Sequence, residues 1–184
     1  AVEELIKCGA DTFIRVGTSG GMDINVVGGD LVIATAAVRG EGTSHEYLTP
    51  DYPAVADFDV VSALKQAALK LSSDDFGNGY HLGVVHSKDS FYGEVEPDKS
   101  AVSTDIKCRW NAYLKAGCLA SEMECAAIFS LGIIKRVRCS AVLTALWNVE
   151  RSNKGLPDNI THDSTRAIKC AVEAIRILIK EDRK

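Results

Sequence analysis

Nine residues, Asp30-Leu31-Val32-Ile33-Ala34-Thr35-Ala36-Ala37-Val38, form a near-continuous apolar run. A strand with one wet face alternates apolar and polar side chains, so an unbroken run predicts a strand covered on both faces. Such a strand needs helices on each side, the layering of an α/β domain. Shorter strand patterns occupy 12–16, 80–86 and 118–120, and a second strong one runs from Arg138 to Trp147. Helical periods lie between them. Residues 1–9 read as a helix with Val2, Leu5 and Ile6 on its apolar face and Gly9 as its stop. Asp57 to Leu71 places apolar residues at 60, 61, 64, 67, 68 and 71, with Asp57 and Asp59 at the start, where the helix dipole favours negative charge. Asp105 to Ala116 carries Ile106, Trp110, Tyr113 and Leu114 on one side, and another helix follows Ser121-Glu122-Met123-Glu124 to about Ile134. A terminal helix, capped by Thr161 or Asp163, is expected to turn Ile168, Val172, Ile175 and Ile179 to the core. About five strands thus alternate with four helices. The expected fold class is α/β, a mixed central β-sheet flanked by helices, in one domain over residues 1–184 with no repeat or linker.

At 184 residues the chain is long enough to bury roughly 70% of its unfolded surface. Its formal net charge is −4 and no long basic stripe exists, which argues against nucleic acid as a partner. No apolar run approaches the ~18 residues of a membrane span, so no membrane partner is expected. None of the six cysteines forms a Cys-x-x-Cys pair, and reduced structural thiols with a cytoplasmic location are the expectation. His45, His81, His86 and His162 show no metal-ligand spacing, so surface or capping roles and no metal are expected. His45 lies in the polar segment 39–56, long enough for a functional loop. The first residue is not Met and the opening helix has no lead-in, so the chain is expected to begin partway through a larger protein.

Three segments carry chemistry. In Phe13-Ile14-Arg15-Val16-Gly17-Thr18-Ser19-Gly20-Gly21 an apolar strand enters a glycine-rich stretch with one arginine inside it. Glycines let backbone N–H groups approach an anion, and arginine offers a two-pronged donor suited to phosphate. A tight turn with no ligand explains the same glycines. Glu122 and Glu124 sit two apart at a strand-to-helix junction, where a carboxylate suits the vicinal hydroxyls of a ribose or simply complements the helix dipole. Ser90-Phe91-Tyr92-Gly93 places aromatics after a strand, fit to stack on a heterocycle or to staple a loop. Anion, sugar and base together describe a nucleoside plus phosphate.

Ile14-Arg15-Val16-Gly17-Thr18-Ser19-Gly20-Gly21, Pro53-Ala54-Val55-Ala56-Asp57-Phe58, Asp89-Ser90-Phe91-Tyr92 and Glu122-Met123-Glu124, in this order, resemble the nucleoside phosphorylase family from about residue 10 to the C terminus. The resemblance implies that Arg15, Gly17 and Thr18 bind phosphate. Ser19, Gly20, Phe91, Glu94, Glu122, Met123, Glu124 and Asn148 would surround the nucleoside, and Arg15, Glu124 and Arg151 would serve catalysis. It implies phosphate as co-substrate, no other cofactor, and a homo-oligomer built on dimers, up to a hexamer. Phosphate itself would be the nucleophile, leaving positioning and charge stabilisation to the protein.

Within the family the pattern Leu146-Trp147-Asn148 favours a pyrimidine nucleoside, uridine, because an amide stands where the purine enzymes place a proton-donating acid. Glu150 as a displaced acid keeps the purine alternative open. The glutamine and arginine that read uracil in the family are not matched after Phe91-Tyr92, where Glu94 is the nearest counterpart. A preceding segment with a second phosphate arginine, and residues from a neighbouring subunit, are implied but not matched in these residues. A nucleoside-binding module without activity is therefore the third reading.

Overall fold

A computed structural model describes residues 1–183. The elements run α1 (Val2–Lys7), β1 (Thr12–Gly21), β2 (Leu31–Gly40), β3 (Ala54–Val55), α2 (Phe58–Leu71), β4 (Tyr80–Lys88), α3 (Phe91–Val95), α4 (Ser103–Lys115), β5 (Ala120–Glu122), α5 (Cys125–Lys135), β6 (Arg138–Asn148), α6 (Val149–Asn153) and α7 (Thr165–Glu181), with short 3₁₀ turns at Thr43–Glu46 and Pro97–Lys99. The sheet is mixed and helices flank it, as expected for this fold class. Its strand order is β3-β2-β4-β5-β1-β6, and β6 also pairs with β2. Five strands therefore close into a ring, with β3 attached outside it. β2, β4 and β5 are parallel to one another, β1 and β6 run the opposite way, and the antiparallel joints are β5–β1 and β6–β2.

The long apolar run behaves as a doubly covered strand. Along β2, Val32 and Ala34 enter a cluster with Cys125, Ala126 and Phe129 of α5, while Leu31 and Ile33 enter another with α2 and α7. Period-two alternation of apolar residues on both faces is what a strand between two helical layers requires. Asp57 caps α2, its carboxylate accepting the Val60 N–H at 3.0 Å.

Two sequence expectations are corrected here. The glycine-rich stretch 17–21 is not a turn: it continues β1, and none of its glycines has a positive φ. The chain turns later, over 22–30, where Gly29 takes φ +98°. The second concerns α7. Its buried residues are Ala167, Cys170, Ala171, Ala174 and Leu178, whereas Ile168, Val172, Ile175 and Ile179 are 43–53% exposed. Opposite α7 in the shared cluster stand Ala63, Ala67 and Ala68 of α2, and small side chains on both helices permit close approach. The larger residues on the adjacent stripe are left outward.

Two arginines order the loops. Arg39 donates to the carbonyls of Ser44, Leu48, Thr49 and Tyr52, which holds the polar segment after β2 in place. Arg166 at the start of α7 donates to the carbonyls of Gly29, Gly77, Asn78 and Gly79, tying that helix to two turns. His45 Nε2 sits 3.4 Å from the Arg39 carbonyl.

Candidate active site

The antiparallel joint between β1 and β5 brings Gly20 opposite Ser121, and β4 runs beside β5 with Ser87 opposite Glu122. These strands, with the start of α3 and the end of β6, enclose a cavity of about 150 Å³. Of the residues singled out by sequence, Arg15, Thr18, Ser19, Gly20, Phe91, Glu94, Glu122, Met123 and Glu124 border it. Gly17, Asn148 and Arg151 do not.

Arg15 forms a hydrogen-bonded ion pair with Glu124 and lies 3.8 Å from Glu122 Oε2. Its Nη1 is buried with no acceptor among the described residues, and so is the Ser19 hydroxyl. Buried polar atoms without protein partners are few in a folded protein, and these two belong to residues that border the cavity, where a polar ligand is suited to complete the bonding. Glu122 is buried and fully engaged. One carboxylate oxygen accepts from the Ser87 hydroxyl, and the other accepts the N–H groups of Glu124 and Cys125 at 2.8 and 2.9 Å. It thus caps α5 and sets the angle of the 122–124 segment, leaving Met123 and the more exposed Glu124 at the cavity.

Gly17 works through Arg15. A Cβ on Gly17 would stand 2.2 Å from Arg15 Nη1, so the glycine leaves room for the guanidinium. Because the clashing atoms are the far end of a flexible side chain, Gly17→Ala should keep the fold and displace the guanidinium. We expect its midpoint of thermal unfolding to change by at most a few degrees while the affinity of the cavity for an oxyanion falls by roughly tenfold, measured by titration with inorganic phosphate. An unchanged affinity would remove Gly17 from this role.

Asn148 and Arg151 are corrected more strongly. Asn148 is fully buried. Its amide donates to the carbonyls of Asp23 and Val26 at 2.7 and 2.8 Å, and its side-chain oxygen accepts the Arg151 N–H as the N-cap of α6. It fastens the 22–28 turn to β6 and has no free group for a base. Gly21 is opposite, where a Cβ would come within 2.8 Å of the Asn148 amide nitrogen. Arg151 donates to the carbonyls of Ile24 and Pro157, and its guanidinium lies 5.7 Å from the Phe76 ring centre. Both residues brace loops beside the cavity. Glu150 accepts from Trp110 Nε1 at 2.8 Å and does not border the cavity.

Glu94 borders the cavity but is bound to protein. Its Oε2 stands 2.7 Å from Lys88 Nζ and accepts from the Ser121 hydroxyl, and its Oε1 lies 2.8 Å from His86 Nδ1, close enough for charge pairing though not aligned as a hydrogen bond. Burial alone would raise this carboxyl; the His86 and Lys88 contacts outweigh it and hold it below the ordinary value of 4.5. A carboxyl depressed on folding stabilises the protein above its ordinary value, and that contribution disappears as pH falls through the folded-state value. Glu94→Gln should therefore cost roughly 3 kcal/mol near neutral pH and progressively less as pH falls below 4.5, measured as urea unfolding across that range. A cost that does not fall with pH would refute the pairing.

Sequence reasoning missed Lys88, Trp110, Ser121, Trp147 and Val149 on the cavity wall. Lys88 closes β4 directly after His86 and Ser87, a polar strand end. Trp147 meets Phe91 edge-to-face with ring centres 6.1 Å apart, and Phe91 meets Tyr92 the same way at 5.3 Å. Phe91 and Tyr92 are 40% and 72% exposed, so they do not form a buried staple. Cysteine chemistry has no support at the site: burial pushes the Cys125 thiol well up, with the Glu122 charge adding to it, and burial pushes Cys118 up to about 12.

The chain belongs to the phosphorylase superfamily, whose profile matches residues 1–180. Among its relatives, a uridine phosphorylase of Treponema pallidum is 49% identical over 98% of this chain and 68% of its own length. A guanosine phosphorylase of Halorubrum lacusprofundi is 36% identical over 97% of this chain and 70% of its own. The uridine phosphorylase of Escherichia coli is 33% identical with the same coverage. The chain thus spans about two thirds of the length of these relatives.

Proposed function

We propose that this chain is a pentosyltransferase that carries out phosphorolysis of a pyrimidine nucleoside, uridine, giving free base and ribose 1-phosphate. The observation that supports it most is the pairing of Arg15 with Glu124 on a cavity wall that also holds the unpartnered Arg15 Nη1 and Ser19 hydroxyl. Phosphate approaching Arg15 and Thr18 competes with Glu124 for the guanidinium. The released carboxylate then accepts hydrogen bonds from the ribose hydroxyls. The anion and the sugar thereby bind at adjacent points, and a phosphate oxygen is set against the anomeric carbon. As the glycosidic bond breaks, positive charge grows on the sugar, and Glu124 and the phosphate dianion both stabilise it. Phe91 and Trp147 supply the aromatic wall for the base.

Phosphate serves as co-substrate, no further cofactor is used, and the 184 residues act as one domain. Among the described residues no helix is long and apolar enough to cross a membrane. We carry a cytoplasmic location and a homo-oligomeric state as part of the proposal; light scattering of the purified protein tests the latter.

The guanosine phosphorylase relative keeps a purine substrate as the second reading. One assay separates the readings: uridine, inosine or adenosine is mixed with the protein, with and without phosphate, and free base is followed. Uracil release that needs phosphate is expected. Release without phosphate would overturn phosphorolysis, inosine outpacing uridine would favour the purine reading, and no turnover of any nucleoside would favour a binding module.

A further inference from the structure

Glu150 has no part in the chemistry described above, yet it makes one well-aligned bond. Its carboxylate lies on α6 and accepts from Trp110 Nε1 of α4 at 2.8 Å. No residue of α4 is fully buried, so little apolar packing fixes this helix in place. Lys107 pairs with Asp98 inside the same segment. Among the described residues, Trp110–Glu150 is thus the one side-chain hydrogen bond that ties α4 to elements beyond residues 91–115. The Tyr113 ring adds a contact with His86, ring centres 4.7 Å apart.

Trp110 also stands between two spaces. It borders the cavity of the site and an outer groove of about 470 Å³ between α4 and α6. Glu94, Val95 and Val149 share that double position, whereas Glu150 lines the groove and not the cavity. The indole therefore sits where groove and cavity meet, held from the groove side by a carboxylate.

We propose that Trp110 is a gate between the outer groove and the cavity, and that Glu150 is the positioning residue that latches it shut. What passes the gate rests on the nucleoside reading above. A nucleoside enters, and its products leave, while the Trp110–Glu150 bond is broken and the indole is swung aside. Losing a hydrogen bond to a charged group shifts such an equilibrium by roughly tenfold or more. The latch lies outside the cavity, so it favours the closed form equally whether or not a nucleoside is bound. Equal preference in both states leaves affinity unchanged. The latch sets instead the rate of passage in both directions.

The first measurement needs no ligand. The chain has two tryptophans, so isotopic labelling gives two indole resonances, assigned with Trp110→Phe. Glu150→Ala should speed solvent exchange of the Trp110 Nε1–H by roughly tenfold or more and leave that of Trp147 within about twofold. Glu150→Gln, which keeps an acceptor without the charge, should fall between. The second measurement follows uridine binding by stopped-flow tryptophan fluorescence without phosphate. Glu150→Ala should raise both association and dissociation rates by roughly tenfold, with Kd within about threefold. Trp110→Phe keeps a ring and loses the donor; it should do the same, and the double variant should go no further. Trp110→Phe carries the test if Glu150→Ala does not fold. Unchanged indole exchange overturns the latch. Unchanged binding rates overturn the gate, and so does faster dissociation alone with correspondingly weaker binding, the signature of a plain wall contact. Wild type that binds no uridine counts against the nucleoside reading instead, and the indole exchange still decides the latch.

Discussion

Arg15→Met lowers kcat/KM for phosphate by roughly 10–100-fold, the usual consequence of removing one charge-assisted donor from a bound anion. The apparent KM for the nucleoside rises far less, by a few-fold. The asymmetry follows from position. The arginine is the cationic partner of Glu124 and lies 3.8 Å from Glu122, so its loss removes the charge that draws in an anion. The Glu124 carboxylate, proposed to hold the ribose, and the aromatic wall remain. Thermal unfolding gives the control: Arg15 lies at a cavity rather than in either apolar cluster, and Met retains most of the buried stem. Steady-state kinetics with each substrate varied in turn measures the effect. Equal losses for phosphate and nucleoside would take Arg15 out of the phosphate role.

Asn148→Ala produces the opposite signature, a large loss of stability. The side chain donates to two buried carbonyls, caps α6, and fills the space opposite Gly21. Leaving two carbonyls without donors, with the cap lost as well, costs roughly 3 kcal/mol. In a protein of this size that corresponds to a fall in melting temperature of about 6–12 °C. Below its melting temperature the variant should keep a KM for the nucleoside within about twofold of wild type, since the amide has no free group at the cavity. A stable variant with a strongly raised nucleoside KM would restore the reading of Asn148 as a base contact.

The two variants fall on either side of what the sequence places at the cavity. Arg15, Glu122 and Glu124 border it, and their placement was legible because the chemistry of the residue types and their place at a strand and a strand–helix junction both pointed to a polar site. Asn148 and Arg151 were misplaced because a polar residue after a strand looks the same whether it faces a ligand or the underside of a turn. The carbonyls of Asp23, Ile24 and Val26 that claim them lie more than 120 residues away in the chain. Gly17 was judged by backbone freedom, but its conformation is extended and what it supplies is space for its neighbour's side chain.

Local pattern alone determined the alternation of strands and helices, the double burial of β2, the start of α2 at Asp57 and the presence of anion-, sugar- and base-suited groups. These follow from side-chain periodicity and from bonds between residues a few positions apart, which any window of sequence contains. Tertiary structure alone decided that β6 returns to β2 and closes the ring, and that α7 buries its alanines. A helix with two apolar stripes buries the one that its partner can approach closely, and that depends on the alanines of α2 rather than on α7 itself. It also decided the polar pairs of the site: the ion pair of Arg15 with Glu124 across 109 residues and the hydrogen bond that Ser121 donates to Glu94 across 27. Ion pairing depends on distance in space, and only the closed strand ring supplies those distances.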